Sequence, residues 1–294
     1  MNAVAIAQVW HRRLGHLQVQ SLDIVRKRNG INFTFEGAIS DCDVCASGEN
    51  QQLTYPMTAN HTIRRPFQLY LRALLGPFMP VVIGGYKYIS KVIDEYTKWT
   101  AVYLLTNKNQ APQSLKLFVG ATVTPFGGWI VRFHADKGGE YTGEEFQQYF
   151  LETGIIHNFA AINMPQKLGA SVRVGRTLCA MIRCMLAYSD FPLPMLGEPF
   201  MTAYLKNTTP YMALERDTPF KMLHGEEADL SHLRVIGERT IAHIKDSRKL
   251  DAAAWEGKLC GYSEGNKSYR VWNPKTHRVV ESRSATFIET PSHL

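Results

Sequence analysis

An α/β fold with a mixed sheet, preceded by a short segment bearing His and Cys and followed by a small antiparallel β-barrel, is what this sequence predicts. Three observations predict it. Between residues 64 and 225, strand-like runs come first and then alternate with helix-like runs, the order that an α/β layer arrangement requires. Between 229 and 290, short strand-like runs are separated by turn-forming residues. Between 8 and 60, two His and two Cys stand at metal-ligand spacing. The length agrees, since 294 residues at ~150 per domain allow about two domains, or three small ones.

The first segment carries His11 and His16 and, after 25 intervening residues, Cys42-Asp-Val-Cys45. Two imidazoles and two thiolates form the donor set that holds structural Zn²⁺ in a closed tetrahedron. His11 and His16 are five apart, ~140° round a regular helix, so the chain must bend, at Gly15, for both to reach one ion. A unit of this size then depends on the ion for its fold. The competing reading is two surface histidines and an unrelated thiol pair. The polar connector Gly48-Glu-Asn-Gln-Gln-Leu-Thr54 ends the segment.

In the central zone, Tyr86–Ile93 alternates partly with period two and Trp99–Leu105 is β-branched and aromatic, which predicts two strands. The short polar turn Asp94–Lys98 makes them antiparallel neighbours. Residues 111–122 suit a helix and Trp129–Phe133 a strand. Thr142 with Glu145 three positions later is a capping-box signature, opening a helix. Ile155–Phe159 is a further strand. Ser171–Ala187 lacks Pro and places Leu178, Ile182 and Met185 at helical spacing. The last zone offers strands at Val235-Ile236, Thr240–Ile244, Lys258–Tyr262, Tyr269–Trp272 and Arg278–Val280, with turns at Gly265-Asn266 and Asn273-Pro-Lys275.

With 45% hydrophobic and 20% charged residues, the composition excludes a fully disordered chain. The longest uncharged stretch in the first third, Ala73–Tyr86, is 14 residues with two prolines; a membrane span needs ~20 apolar residues, so none is expected. The apolar N-terminus lacks a basic lead-in, so a secretory signal is not expected. The net charge of +7 is spread as +2, +2 and +3 over the first, central and last zones, and does not by itself name a partner. Five cysteines, an odd number including a Cys-x-x-Cys pair, read as an intracellular chain with a metal site rather than a disulfide framework.

Ordered motifs carry a family resemblance. Trp10-His-Arg-Arg-Leu-Gly-His-Leu17, followed by Cys42-x-x-Cys45 and Gly48, resembles the pre-integrase zinc segment of copia-type LTR-retrotransposon polyproteins. Arg65-Pro-Phe-Gln-Leu-Tyr70, Leu75-Gly-Pro77, Gly84-Gly-Tyr-Lys-Tyr88, Ile93–Thr100 and Asp136-Lys-Gly-Gly-Glu-Tyr141 are similar to successive blocks of the integrase core. Arg176-Thr-Leu178, Asn207-x-x-Pro210, Thr218-Pro219, Ser231–Gly237, Leu259–Ser263 and Tyr269–Pro274 complete the order, so the likeness covers roughly residues 8–289. It implies a pre-integrase zinc-binding segment at 8–60, a ribonuclease-H-like integrase core at 64–225, and a Src-homology-3-type barrel at 229–290. It also implies DNA integration by an Asp, Asp, Glu triad holding two Mg²⁺, whose chemistry is a clamp on the attacking and leaving oxygens of a phosphoryl displacement. Partners expected from it are DNA or RNA bound without sequence preference, and a second copy of the chain; location would be nuclear or cytoplasmic.

Carried over residue by residue, the triad is incomplete. The second acid matches Asp136, but the first position is Ala73 and the third is Val172, beside Arg173. No Asp or Glu occurs from Asn50 through Ile93 or from Thr153 through Ser189, so no small shift of register recovers a carboxylate. Asp94, the nearest downstream acid to Ala73, is expected about six strand residues from Ala73's partner, roughly 20 Å away. Glu140 matches a separate position of the family. Mg²⁺ needs oxygen ligands, so its binding is expected to be weak or absent, and the copy inactive. Alternatives are a strand transferase using relocated acids, or a structural or protein-interaction relic. His134, Asp136, Glu140 and His157 as a different metal site is the weaker reading. Arg173, Arg176 and Arg183, spaced by three and seven, favour one helix face and are candidates for phosphate contact, a solvated face being the equal contender. Cys179 and Cys184 read as small buried groups, and Tyr262, Tyr269 and Trp272 as barrel core rather than base-stacking platforms.

Overall fold

A computed structural model of the chain describes residues 5–31, 33–34, 42, 44–45, 63–79, 84–136, 143–160, 169–189, 191–192, 199–243, 254–263 and 268–288. In chain order the elements are β1 Ala5–Ile6, α1 Ala7–Arg13, α2 Val19–Asn29, β2 Phe33–Thr34, β3 Leu69–Leu75, β4 Tyr88–Asp94, β5 Thr100–Leu105, α3 Ala111–Phe118, β6 Arg132–Asp136, α4 Glu144–Thr153, β7 Ile156–Ala160, α5 Gly169–Ser189, α6 Pro199–Asn207, α7 Pro219–His224, β8 Arg239–His243, β9 Ala254–Tyr262, β10 Tyr269–Asn273, β11 Arg278–Ser282 and β12 Ala285–Ile288. They fall into two compact units, one of Met1–Asn50, Met181–Pro192 and Asp229–Leu294, the other of Gln51–Ala180 and Leu193–Ala228.

The second unit is built on a five-stranded mixed sheet in the order β5-β4-β3-β6-β7. β3, β4 and β5 pair antiparallel, whereas β3–β6 and β6–β7 are parallel. The split follows from the connections: a short polar turn reverses the chain between β4 and β5, while the parallel strands are joined through α3 and α4, as crossovers of this kind must be. Both faces are covered. Tyr70, Val92, Phe133 and Ala135 pack with Leu115 and Phe118 of α3 and with Phe146 and Phe150 of α4. Leu69, Leu71, Ile89, Ile93 and Val102 pack on the other face with Val174 and Leu178 of α5 and Ala203 of α6. Strands buried on two sides carry apolar residues at successive positions, which is why the alternation in residues 86–93 is only partial.

In the first unit, five strands form an all-antiparallel sheet in the order β11-β10-β9-β8-β12. Tyr269 of β10 and Phe287 of β12 have ring centroids 4.5 Å apart. Two strands lie between them, and on a flat sheet they would stand about 14 Å apart. The sheet therefore curls into a barrel-like shape. Tyr262 and Tyr269 turn their hydroxyls to backbone groups of Arg234 and His232, and Trp272 is buried against Phe191.

Several boundaries differ from the expectation. The sixth strand starts at Arg132, not Trp129, whose indole is 62% exposed. The helix from Ala111 ends at Phe118 and continues as a wider turn over Val119–Val123. The cap of α4 is Gly143, with no side-chain cap bond, rather than Thr142, which lies outside the described residues. Val235-Ile236 is buried irregular chain, not a strand, and β12 was not foreseen.

Candidate functional site

The first unit gathers four metal-ligating side chains. His11 sits in the last turn of α1, after which the chain turns left-handed at Gly15 (φ 65°) and again at His16 (φ 64°). His16 N–H and Leu17 N–H both donate to the His11 carbonyl, at 2.7 and 3.2 Å, closing the helix end and folding His16 back over His11. A non-glycine residue in this conformation costs about 1–2 kcal/mol, so tertiary contacts hold it there. Cys42 and Cys45 complete the group, and the four ligand atoms lie within 4.8 Å of one another.

The group has the shape of a tetrahedral ion's shell. Zn–N of ~2.0–2.1 Å and Zn–S of ~2.3 Å set tetrahedral edges of about 3.3 Å between nitrogens and about 3.6 Å between nitrogen and sulfur. His11 Nε2 and His16 Nδ1 are 3.1 Å apart; Cys42 Sγ to His16 Nδ1, Cys45 Sγ to His11 Nε2 and Cys45 Sγ to His16 Nδ1 are each 3.4 Å. His11 Nδ1 lies 2.8 Å from the Leu17 carbonyl. Donation there fixes the tautomer and leaves Nε2 with its lone pair toward the cluster, the usual outer partner of a metal-bound imidazole. Burial lowers the pKa of His11, and lowers that of His16 to about 3 with help from its neighbours His11 and Arg12. Both imidazoles are thus neutral at neutral pH, the state a metal ligand needs.

Two supports were not visible in the sequence. Cys184 of α5 is buried, and its thiol donates to the Val44 carbonyl within the Cys42–Cys45 turn at 3.5 Å. Hydrogen bonding to Cys184 is the first cause that raises the Cys45 thiol pKa. Reading Cys184 as an inert apolar group was therefore incomplete; 139 residues separate it from Val44 in sequence, and nothing local announces the contact. Second, Arg12 donates to the Tyr188 hydroxyl, which donates to Glu238. Burial first, then the bond to Glu238, pushes the Tyr188 pKa up to about 12, so it stays a neutral donor. That chain ties α1 to α5 and to the residue before β8.

Of the three positions at which the resemblance implies carboxylates, two lie on strands of the second unit's sheet, Ala73 and Asp136, and one on a helix, Val172. β3 is central, and Ala73 pairs with Lys91 of β4 on one side. On the other side the parallel ladder runs from Leu69↔Arg132 to Arg72↔Ala135, and one step further sets Asp136 beside Ala73. Val172 is in the first turn of α5 and 44% exposed. Neither Ala73 nor Val172 offers a ligand atom, and the Asp136 side chain and Glu140 lie outside the described residues. A pair of hard divalent ions does not fit the side chains present at these positions.

Asp94 stands nearer than the sequence suggested. It pairs with Tyr70, three positions along β4 from Lys91, which is about 10 Å rather than 20 Å. Its carboxylate is fully buried and committed: Oδ1 accepts from Phe67 N–H at 3.0 Å, and Oδ2 from Thr97 N–H and hydroxyl at 2.9 and 2.7 Å. It braces the β4–β5 turn. Lys91, fully buried at the centre of this face, was not singled out in the sequence, although a lysine inside an apolar strand is itself a signal. Arg173, Arg176 and Arg183 are all exposed on α5, and Arg173 meets the Tyr211 hydroxyl. His134 is buried within β6, and His157 stacks on Phe150 at 4.7 Å.

Residues 239–293 match the family described as Retroviral polymerase SH3-like domain. The chain is 31% identical over 285 residues, 96% of its length and 21% of the relative's, to the Retrovirus-related Pol polyprotein from transposon TNT 1-94 of Nicotiana tabacum. It is 25% identical over 284 residues, 95% of its length and 19% of the relative's, to the Retrovirus-related Pol polyprotein from transposon RE1 of Arabidopsis thaliana. The chain thus spans about a fifth of the curated relatives it matches. Among solved structures, the HTLV-2 integrase catalytic core domain in complex with magnesium (trimeric form) aligns at 15% identity with a TM-score of 0.42, covering 54% of this chain and 98% of that one. Similarity to retrotransposon Pol polyproteins thus runs along nearly the whole chain, and its C-terminal part matches the retroviral polymerase SH3-like family, so the chain is similar to one segment of such polyproteins.

Proposed function

We propose that this chain is a nucleic-acid-binding member of the DNA integration family that does not join DNA ends. One observation supports the reading: Ala73 and Val172 stand at the sequence positions where the family resemblance implies carboxylates, with Asp136 the one acid that matches. A single carboxylate holds Mg²⁺ weakly, and in-line phosphoryl displacement needs both ions. Asp94 is no replacement, because one of its oxygens accepts from Phe67 N–H and the other from the N–H and hydroxyl of Thr97. His11, His16, Cys42 and Cys45 would hold one structural Zn²⁺, with no open position for catalysis. The exposed Arg173, Arg176 and Arg183 would contact phosphates, alongside the overall charge of +7.

Incubating the full chain with element-end duplexes and Mg²⁺ or Mn²⁺ tests the reading. No strand transfer is expected, and turnover overturns it. DNA affinity measured against salt tests the binding half, since log affinity falls by about 0.9 per decade of salt for each phosphate neutralised. A flat slope would leave the alternative of a structural or protein-interaction relic.

A further inference from the structure

One face of the core sheet holds a buried amine that neither the proposed zinc site nor the proposed DNA contacts use. Lys91 is fully buried in β4, and its partner across β3 is Ala73. Residues paired in this way project from the same face of a sheet, here the face that Val174 and Leu178 of α5 cover. The Lys91 Nζ donates to the Ser171 carbonyl in the first turn of α5. One turn on, a Cβ placed at Gly175 would come within 2.6 Å of that nitrogen, and would meet Leu75 at 3.5 Å. Glycine is a poor helix former, and its small size here lets the flexible end of Lys91 lie against the helix. Val172 lies between those two helix residues in sequence. The amine thus comes from the strand position paired with Ala73 and reaches the helix turn that contains Val172.

The geometry points to Lys91 as a built-in cation that takes the place of the divalent ions, linking β4 to the start of α5 and closing the pocket to Mg²⁺ and Mn²⁺. This rests on the reading of the triad as depleted and deepens it: the pocket lacks two ligands and is also filled by a positive charge. Like charges at close range in a low-dielectric interior repel strongly, and the tie to Ser171 holds α5 without any metal bridge. Restoring the two missing carboxylates is then insufficient, because one of them would pair with the lysine instead of gripping an ion.

The test uses the zinc-loaded full chain and Mn²⁺ alone as the probe, read by electron paramagnetic resonance. Three proteins are compared: the parent, Ala73→Asp/Val172→Glu, and Ala73→Asp/Val172→Glu/Lys91→Thr. The double variant is expected to bind Mn²⁺ no better than the parent, and the triple variant on the order of tenfold tighter or more. A triple variant no tighter than the double overturns the role of Lys91. If the triple variant does not fold, Ala73→Asp alone decides by thermal melting: a melting temperature indifferent to Mn²⁺ supports a lysine–carboxylate pair, and one that rises with Mn²⁺ overturns it. Mn²⁺ held at the triad positions of the parent chain would be a different failure, that of the depleted-centre reading itself.

Discussion

The His/Cys group of the first unit and the proposed triad positions of the second pose the same folding problem, bringing side chains from distant segments to one point. The first has all four donors, with His11 and His16 neutral and Cys184 and Leu17 bracing the shell. In the proposed reading the second has strands β3 and β6 side by side but a single matching acid, Asp136. The difference teaches which loss a fold tolerates. A short segment with two-residue strands would gain stability from an ion held by those four donors. Carboxylates clustered for catalysis repel one another, so under the proposed reading Ala and Val in their place would remove charge from a sheet that is already packed on both faces.

Substitutions can break that contrast. The largest effect is expected from His11→Ala or Cys45→Ser: metal loss, with apparent zinc energies of ~10–16 kcal/mol in comparable small sites at stake. Limited proteolysis should then cut within residues 5–45 while the second unit stays protected; continued protection would show that the ion is not structural. Next is Asp94→Asn, which leaves Thr97 N–H and hydroxyl without a charged acceptor and should cost about 1–3 kcal/mol by denaturant unfolding. No loss would return Asp94 to candidacy as a spare acid.

Lys206 sharpens the comparison through pH. Burial first, then the charge of Lys98, pushes its pKa down to about 7. The folded state therefore binds fewer protons than the unfolded state between about 7 and the ordinary value of 10.5, and this group's contribution to stability rises with pH through that window. Lys206→Met should lessen the gain in stability between pH 6 and pH 9 by about 2 kcal/mol; identical pH profiles would show that the amine is not desolvated as described. The smallest effect is expected at the triad itself, where Val172→Thr on an exposed helix position should stay within about 0.5 kcal/mol. A large change there would mean that the helix start is under more constraint than its exposure indicates.

Much of the architecture was legible in local pattern. The polar turn after Ile93 marked the β4–β5 hairpin, and the Pro-free stretch from Ser171 marked α5, which runs two residues further at each end. The spacing of His11, His16, Cys42 and Cys45 was enough to see a donor set, because metal chemistry is written in residue type. Partnerships made only in three dimensions were hidden. Cys184 reaches the Cys42–Cys45 turn across 139 residues, and Lys91 gains its meaning only from the register with Ala73 and the gap at Gly175. Trp129 was misread for a local reason: its aromatic β-propensity suits a strand, but the chain there presents the ring to solvent and Arg65 stacks on it at 4.4 Å.

The account stands most directly on metal content. After the full chain is equilibrated with Zn²⁺ and Mn²⁺ together and then desalted, elemental analysis should find one zinc per chain and no stoichiometric manganese. A pair of manganese ions retained beside the zinc would contradict it, because the second unit would then possess the cage that Ala73, Val172 and Lys91 argue against.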